Sequence, residues 1–563
     1  MSGVIIFVCG FVKKLATRIL LNTTKPGIVA KSIWGPDNSV RALAGGVHTN
    51  NVARHNEAHI GRQFFFLFVG MLLLANSVSA YGLLNTREKD VRFYFEDLKM
   101  AAASETIFVG YQPTAFELQA LSSYSKGNFQ SSLDSSRWRM DLGLYAAAYH
   151  EERYPEITQG TPEYPIGRTS FSVGDQGLPL RFGENTWVSA GTRKMLSDWF
   201  YIEGQIRGGT SPSDSQNANW YQISKLYAEF RLNSAILSIG RKPMYWSQSR
   251  YAGLLLSDSA ENFDLIELST LPVSLPGWFS NLGYFKVESF ISRMNAEREP
   301  PNSYLFGWRA GWQPFGFFEW SLGLIYKIRG DGAPQAGLNE HFYDFLGMRV
   351  KKSVNSQGQE VLNDISDRSG MMDMRLDLGE FSVPLTMYAE HHFEDCCGYL
   401  SNVLHSDYTY GFLAKSSMDR SAHRFRVEYS KSSFTYLRHT IWESSISNNS
   451  YSAGHPMGRD AQGVYIFYDK EFSDPSYRMG VETFYEERIR TQRVARDYRY
   501  ARENPQFQES EKRVGLNFSN RLFLSKEDLM ELNAGYERIF AREFRRGEDR
   551  NAWFALIGME HRF

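Results

Sequence analysis

The sequence predicts an all-β protein, an 18-stranded antiparallel transmembrane β-barrel with a small N-terminal helical plug. Three observations carry that expectation. From Arg137 onward, apolar and polar residues alternate with a period of two. The alternating segments run about 9 to 13 residues, the length a tilted strand needs to cross a bilayer. The connections between them alternate long and short.

Composition narrows the class first. The 563 residues carry 62 Lys and Arg against 63 Asp and Glu, so bulk charge shows no nucleic-acid-binding module. No mature stretch approaches the roughly 18 uninterrupted apolar residues of a spanning helix. Three cysteines, Cys9 and the adjacent Cys396 and Cys397, cannot build a disulfide framework or a tetrahedral zinc site.

The apolar run Phe64 to Ala75 follows Arg62 and precedes Val78-Ser79-Ala80, the layout of a secretory signal, so cleavage is expected after Ala80. Residues 1–80 read as leader and signal peptide, 81–134 as a periplasmic helical region and 135–563 as the barrel. In the helical region, Asn85 with Glu88 forms a capping box ahead of Val91, Tyr94, Phe95, Leu98 and Ala102 on one face. A second box, Thr114 with Glu117, opens a shorter helix to about Tyr124.

The strands follow. In Asn551 to Phe563 one face carries Trp553, Ala555, Ile557, Met559, His561 and Phe563, and the other Phe554, Leu556, Gly558, Glu560 and Arg562. One face suits lipid and the other a polar lumen. The closing Phe563 resembles the terminal residue that outer-membrane assembly recognises. Met372, Met374, Leu376 and Leu378 likewise oppose Asp373, Arg375 and Asp377. Phe318, Trp320, Leu322, Leu324, Tyr326 and Ile328 oppose Glu319, Ser321 and Lys327. Eighteen such segments start near 137, 185, 199, 220, 235, 262, 282, 304, 317, 370, 382, 408, 423, 462, 476, 512, 528 and 551. Long connections such as 150–184, 329–369, 433–461 and 490–511 alternate with short ones such as 196–198, 233–234, 313–316 and 471–475, as in barrels with long extracellular loops and short periplasmic turns. A secreted soluble β protein is the competing reading, since alternation alone does not say which face is wet.

At Ile239-Gly240-Arg241-Lys242-Pro243-Met244-Tyr245-Trp246, through Gly253-Leu254-Leu255-Leu256-Ser257-Asp258 to Asn262-Phe263-Asp264, the chain resembles the capsule assembly protein Wzi family. Ala453-Gly454-His455-Pro456-Met457-Gly458-Arg459-Asp460-Ala461, Phe306 to Arg309, Glu319 to Leu324, Tyr388 to Glu390 and Glu394-Asp395 support it over roughly 135–563. Ser247 stands where the resemblance leads one to expect Gly. The resemblance implies an eighteen-stranded outer-membrane barrel plugged from the periplasm and closed outside by its own loops. It also implies a lectin that anchors capsular polysaccharide, without catalysis or cofactor.

Candidate chemistry lies in the loops. Arg490, Arg493, Arg496, Arg499 and Arg502 recur every third residue, interleaved with Tyr498 and Tyr500. Guanidinium forks pair with carboxylates, and aromatic rings cover sugar C–H faces, which fits an acidic glycan. The bland reading is a solvated loop whose arginines pair with Asp497, Glu503, Glu509 and Glu511 or with lipopolysaccharide phosphates. The expected polysaccharide-binding set is Arg493, Arg496, Tyr498, Arg499 and Tyr500 with His455, Arg459 and Asp460, joined by Trp246 and Asp258. Glu390, His392 and Glu394 share the lumen face of one strand and read as a salt-bridge ladder with neighbouring arginines rather than a metal site. Cys396-Cys397 leaves open a vicinal disulfide, free thiols or a bridge between chains. No Gly-x-Ser-x-Gly elbow or phosphate loop occurs. The expected partners are capsular or other surface polysaccharide, outer-membrane lipid and lipopolysaccharide, with no nucleic acid, for a monomer in the outer membrane. The alternative function is a porin or sugar-selective channel.

Overall fold

The computed structural model describes residues 108–111, 114–117, 139–151, 178, 183–211, 218–294, 300–334, 336–337, 339–341, 352–354, 360–362, 365–394, 407–418, 421–433, 436–437, 446–448, 451–472, 477–489, 510–525, 527–542 and 546–563. The leader, the helix expected after Asn85, the arginine loop 490–502 and Cys396-Cys397 lie outside them.

Eighteen strands close one antiparallel barrel. They are β1 (Arg139–Glu151), β2 (Gly183–Ser197), β3 (Phe200–Ser211), β4 (Ala218–Leu232), β5 (Ala235–Lys242), β6 (Phe263–Thr270), β7 (Tyr284–Arg293), β8 (Tyr304–Phe315) and β9 (Phe318–Ile328). The second half is β10 (Ser366–Asp377), β11 (Leu385–Glu394), β12 (Asp407–Met418), β13 (Ser421–Ser432), β14 (Ala461–Phe472), β15 (Tyr477–Arg488), β16 (Glu511–Phe523), β17 (Asp528–Phe540) and β18 (Arg550–Arg562). Each pairs with its chain neighbour, and β18 returns to β1 with Arg562 opposite Asp141 and Ala552 opposite Glu151. Closure leaves no unpaired edge. Val273–Ser274 prolongs β6 beyond a break and pairs with β7. All eighteen expected segments are present; the largest difference is at β10, expected from 370 and found from Ser366.

The burial pattern is inside out relative to a soluble sandwich. On β18, Trp553, Ile557 and Met559 are exposed and Phe554 and Leu556 buried. On β10, Met374 is exposed while Arg375 beside it is wholly buried. Glu319 and Ser321 on β9 are buried, with Leu322 and Leu324 on the outer face. Apolar side chains can face outward in this way when the surroundings are lipid, and the polar faces then line the lumen. Tyr326 departs from the expectation: on the outer face of β9, it is covered by His341, whose carbonyl accepts its hydroxyl at 3.4 Å.

Connections 152–182, 212–217, 243–262, 294–303, 329–365, 395–406, 433–460, 489–510 and 541–549 leave one end of the barrel. Connections 198–199, 233–234, 271–283, 316–317, 378–384, 419–420, 473–476 and 524–527 leave the other. The short-turn end is the periplasmic one in barrels of this kind. Its exposed aromatics include Trp199, Trp278, Phe279, Phe315, Phe381 and Phe563, whereas the opposite end shows Tyr221, Tyr304, Tyr410, Tyr485 and Tyr536. Phenolic hydroxyls can hold polar headgroups while the rings stay in the apolar layer, which suits the tyrosine set to one bilayer interface, and the indole N–H groups of Trp199 and Trp278 suit the other.

Within the lumen lies part of the N-terminal region. Residues 115–117 are helical, and the capping box is formed: the Glu117 amide donates to Thr114 Oγ1 at 3.2 Å, and the Thr114 amide to the Glu117 carboxylate at 2.8 Å. The same carboxylate accepts Lys286 Nζ of β7 at 2.7 Å, and the Ala115 amide donates to Glu229 of β4 at 2.8 Å.

Candidate functional site

Pro243, which has no N–H for the ladder, ends β5, and the connection 243–262 folds inward rather than over the surface. Met244, Tyr245, Trp246, Leu254, Leu255 and Leu256 are all at most 5% exposed. Buried backbone N–H groups require acceptors, and the barrel wall supplies carboxylates. Glu428 of β13 takes the amides of Arg250 and Tyr251 at 2.5 and 3.0 Å and the Ser249 hydroxyl at 2.9 Å. Glu390 of β11 takes the Leu254 amide at 2.6 Å and the Ser247 hydroxyl. Glu319 of β9 takes the Gln248 side-chain amide at 2.9 Å, and Asp469 of β14 pairs with the Arg250 guanidinium. Trp246 donates its indole N–H to Glu288 of β7 at 3.0 Å. Its ring lies edge-on to Phe290, over Gly307, where a Cβ would come within 3.0 Å of the indole and 2.3 Å of the Phe290 ring.

Glu390, expected in a ladder with arginines, therefore holds the inserted loop instead. His392 lies against Asp407 at 2.7 Å and Glu394 at 3.5 Å, and Glu394 in turn accepts the Leu437 amide and the Ser369 hydroxyl. Among the described residues no group of His, Cys, Asp and Glu is arranged to hold a metal ion.

A second layer rests on the inserted loop. Ser257 donates its amide to the Ala453 carbonyl at 2.5 Å and its hydroxyl to Gly454 at 3.0 Å. The Tyr436 hydroxyl donates to the Leu254 carbonyl and accepts the His455 amide at 2.7 Å. His455 is wholly buried beside the pair Tyr251 and Tyr465, whose stacked rings lie 3.8 Å apart. Burial pulls its imidazole pKa down to about 3, so it is neutral at pH 7. Beneath the loop, Gly110 accepts the Ser247 amide at 3.1 Å, and the Arg309 guanidinium of β8 lies 4.0 Å over the Tyr111 ring while pairing with Asp373 at 2.6 Å. Burial raises the Tyr111 phenol well above its ordinary range. Residues 453–460, 243–262 and 108–111 thus form one packed column along the lumen.

This column brings together some of the residues read as ligand-binding and separates others from solvent. Trp246, Asp258 and His455 are at most 4% exposed and serve as packing and hydrogen-bonding elements of the column. Arg459 and Asp460 are partly exposed at its outer edge, with Asp460 at φ 53° and its carbonyl accepting the Ile489 amide at 2.6 Å. That bond places the start of the 489–510 connection beside Asp460. Arg493, Arg496, Tyr498, Arg499 and Tyr500 lie outside the described residues. Sequence reading missed the anchoring roles of Glu288, Glu428 and Asp469; the signal available was Leu254-Leu255-Leu256, an apolar run inside a connection between polar-faced strands.

The model of the capsule assembly protein Wzi family matches residues 165–553. No curated protein matches the chain by sequence. Among solved structures, the chain is similar to Wzi of Escherichia coli, an outer membrane protein described as a carbohydrate-binding β-barrel involved in group 1 capsule assembly. That likeness has 14% identity and a TM-score of 0.58, and it covers 85% of this chain and 99% of that one. OprD of Pseudomonas aeruginosa is more distant, at 11% identity and a TM-score of 0.41 over 76% of this chain and 94% of that one. A family match over most of the barrel, joined to a closed eighteen-stranded fold with outward apolar faces, places the protein in the outer membrane, and the chain belongs to the capsule assembly protein Wzi family.

Proposed function

We propose that the barrel is a non-enzymatic outer-membrane lectin that captures an acidic capsular polysaccharide at its outer mouth and anchors it to the cell surface. The observation that carries this reading is the packed column. The wholly buried Trp246 and its loop occupy part of the lumen and offer the outer side a fixed platform. Arg459 and Asp460 stand at the edge of that platform, and the connection bearing Arg493, Arg496, Tyr498, Arg499 and Tyr500 departs from it at Ile489. Arginine forks would take the polymer's carboxylates, and tyrosine rings its apolar sugar faces. Residues 81–134 would complete the plug from the periplasmic side, in a monomer surrounded by lipid and lipopolysaccharide.

Replacing Arg493, Arg496 and Arg499 together by Gln tests the assignment. Capsule retained on intact cells is expected to fall several-fold while the amount of folded barrel in the outer membrane stays unchanged. Retention equal to the parent's would remove this loop from the binding surface.

A further inference from the structure

A lysine on the lipid-facing side of a barrel is tolerated near an interface, where its stem carries the ammonium to the headgroups. Two stand at the long-connection end, Lys431 of β13 and Lys512 of β16. Both are exposed and point outward, since Ser430, Ser432, Glu511 and Arg513 beside them are buried on the lumen side. Cross-strand register joins them into one row: Lys431 lies opposite Gln462, Gln462 opposite Glu487, and Glu487 opposite Lys512. The row carries two cations against one carboxylate. Among the described residues neither ammonium is in an ion pair, whereas Arg241, on the outward face of β5, is closed by Asp264 at 2.8 and 2.7 Å.

The groups around the lysines fit a polar headgroup. Lys431 Nζ sits 5.8 Å over the Tyr408 ring, which in turn packs against Tyr410 at 4.9 Å and His391 at 6.0 Å. The Tyr410 hydroxyl and His391 Nε2 share a hydrogen bond of 3.0 Å. Between the lysines, Tyr429 donates to Gln462 at 3.2 Å and Gln462 to Glu487 at 3.0 Å. That chain sets donors and acceptors side by side, as sugar hydroxyls require. Three strand spacings of about 4.8 Å put the two lysine backbones about 14 Å apart, a span suited to a disaccharide with a phosphate at each end. Farther from the rim the same outward face turns apolar at Val427, Ile466 and Leu516, where acyl chains would lie. Ammonium groups at such a boundary attract anionic headgroups.

We propose that this row binds the bis-phosphorylated disaccharide headgroup of an outer-leaflet glycolipid, with Lys431 and Lys512 each taking one phosphate. The proposal rests on the reading that lipopolysaccharide surrounds the barrel, and it names the place on the wall where one such molecule is held. The test uses the full exported protein, purified in detergent and stripped of copurified lipid. It is mixed with diphosphoryl lipid A, monophosphoryl lipid A or dioleoylphosphatidylglycerol, and bound lipid is counted by native mass spectrometry. Diphosphoryl lipid A is expected to be retained at least fivefold more than either single-phosphate lipid. Lys431→Gln and Lys512→Gln are each expected to bring it down to the monophosphoryl level, and Lys431→Arg and Lys512→Arg to keep it near the parent's. Gel migration without heating checks that each variant is a closed barrel. Equal retention of the three lipids, undiminished retention in both glutamine variants, or displacement by inorganic phosphate at an ionic strength where sodium chloride displaces nothing would overturn the site. The triple Arg493, Arg496 and Arg499 to Gln variant is expected to leave lipid A binding unchanged. Recovery of the protein in lipopolysaccharide-rich membrane fractions reports on the surrounding lipid separately, so the two readings fail apart.

Discussion

Ser247 donates its backbone N–H to the carbonyl of Gly110 at 3.1 Å. Its hydroxyl meanwhile donates to Glu390 and accepts the Ser249 amide at 2.9 Å. One residue thereby ties the inserted loop to the barrel wall and to the N-terminal segment. This is the position where resemblance to the family led to an expected Gly, and the serine hydroxyl both donates and accepts a hydrogen bond.

Ser247→Gly should therefore destabilise the column without unfolding the barrel. Two buried hydrogen bonds disappear and Glu390 keeps only the Leu254 amide among the loop contacts named above, a loss of about 1–3 kcal/mol. Thermal unfolding in detergent should shift downward, while migration on gels without heating still reports a closed barrel. An unchanged transition would show that the hydroxyl contributes nothing net.

Acidification should loosen the outer layer through His455. Its imidazole is held near 3 in the folded chain, against an ordinary value near 6.5, because burial disfavours the charged form. The folded state thus binds fewer protons than the unfolded one between those values. Its contribution is fully present above about pH 6.5 and declines as pH falls toward 3. Between pH 7.5 and 4.5 the expected loss from this group is up to about 2–3 kcal/mol. Unfolding transitions measured across that range should slope more steeply for the parent than for His455→Phe. Parallel slopes would show that His455 is not the titrating group.

Conduction separates a filled lumen from a porin. In planar bilayers the parent is expected to give no porin-sized conductance steps, because 108–111 and 243–262 pack together within the barrel. Replacing 246–258 by a glycine-serine linker of equal length should produce steps. Porin-sized steps from the parent would favour the channel reading.

The strands were legible because lipid outside and polar groups inside impose a period of two on every segment. Met374 beside Arg375 is as clear in the sequence as in the barrel. The Thr114–Glu117 box was likewise readable, since both of its hydrogen bonds are local. The inward course of 243–262 was not. Its amides are satisfied by Glu428, Glu390 and Glu319, which are far away along the chain, and no local period records such partners. For the same reason Trp246 and His455 read as loop residues available to a ligand, although the fold uses them for packing.

Sidedness follows from the alternation of connections. Asn233, at φ 59° in the tight turn between β4 and β5, should be unreachable from outside once changed to Cys, and labelled only after the outer membrane is opened. Cysteines at positions 355 and 501, in two of the long connections, should react with the same impermeant reagent on intact cells. Labelling of Asn233→Cys from outside would invert the topology.

The most direct test is binding of the detergent-purified, full-length protein to immobilised long-chain polysaccharides at low and high ionic strength. Capture of acidic polymers is expected, weakening as salt screens the guanidinium–carboxylate pairs and falling several-fold in the triple Arg493, Arg496 and Arg499 to Gln variant. Capture of neutral polymers alone, capture indifferent to salt, or no capture of any polysaccharide would contradict a cationic lectin site at the outer mouth.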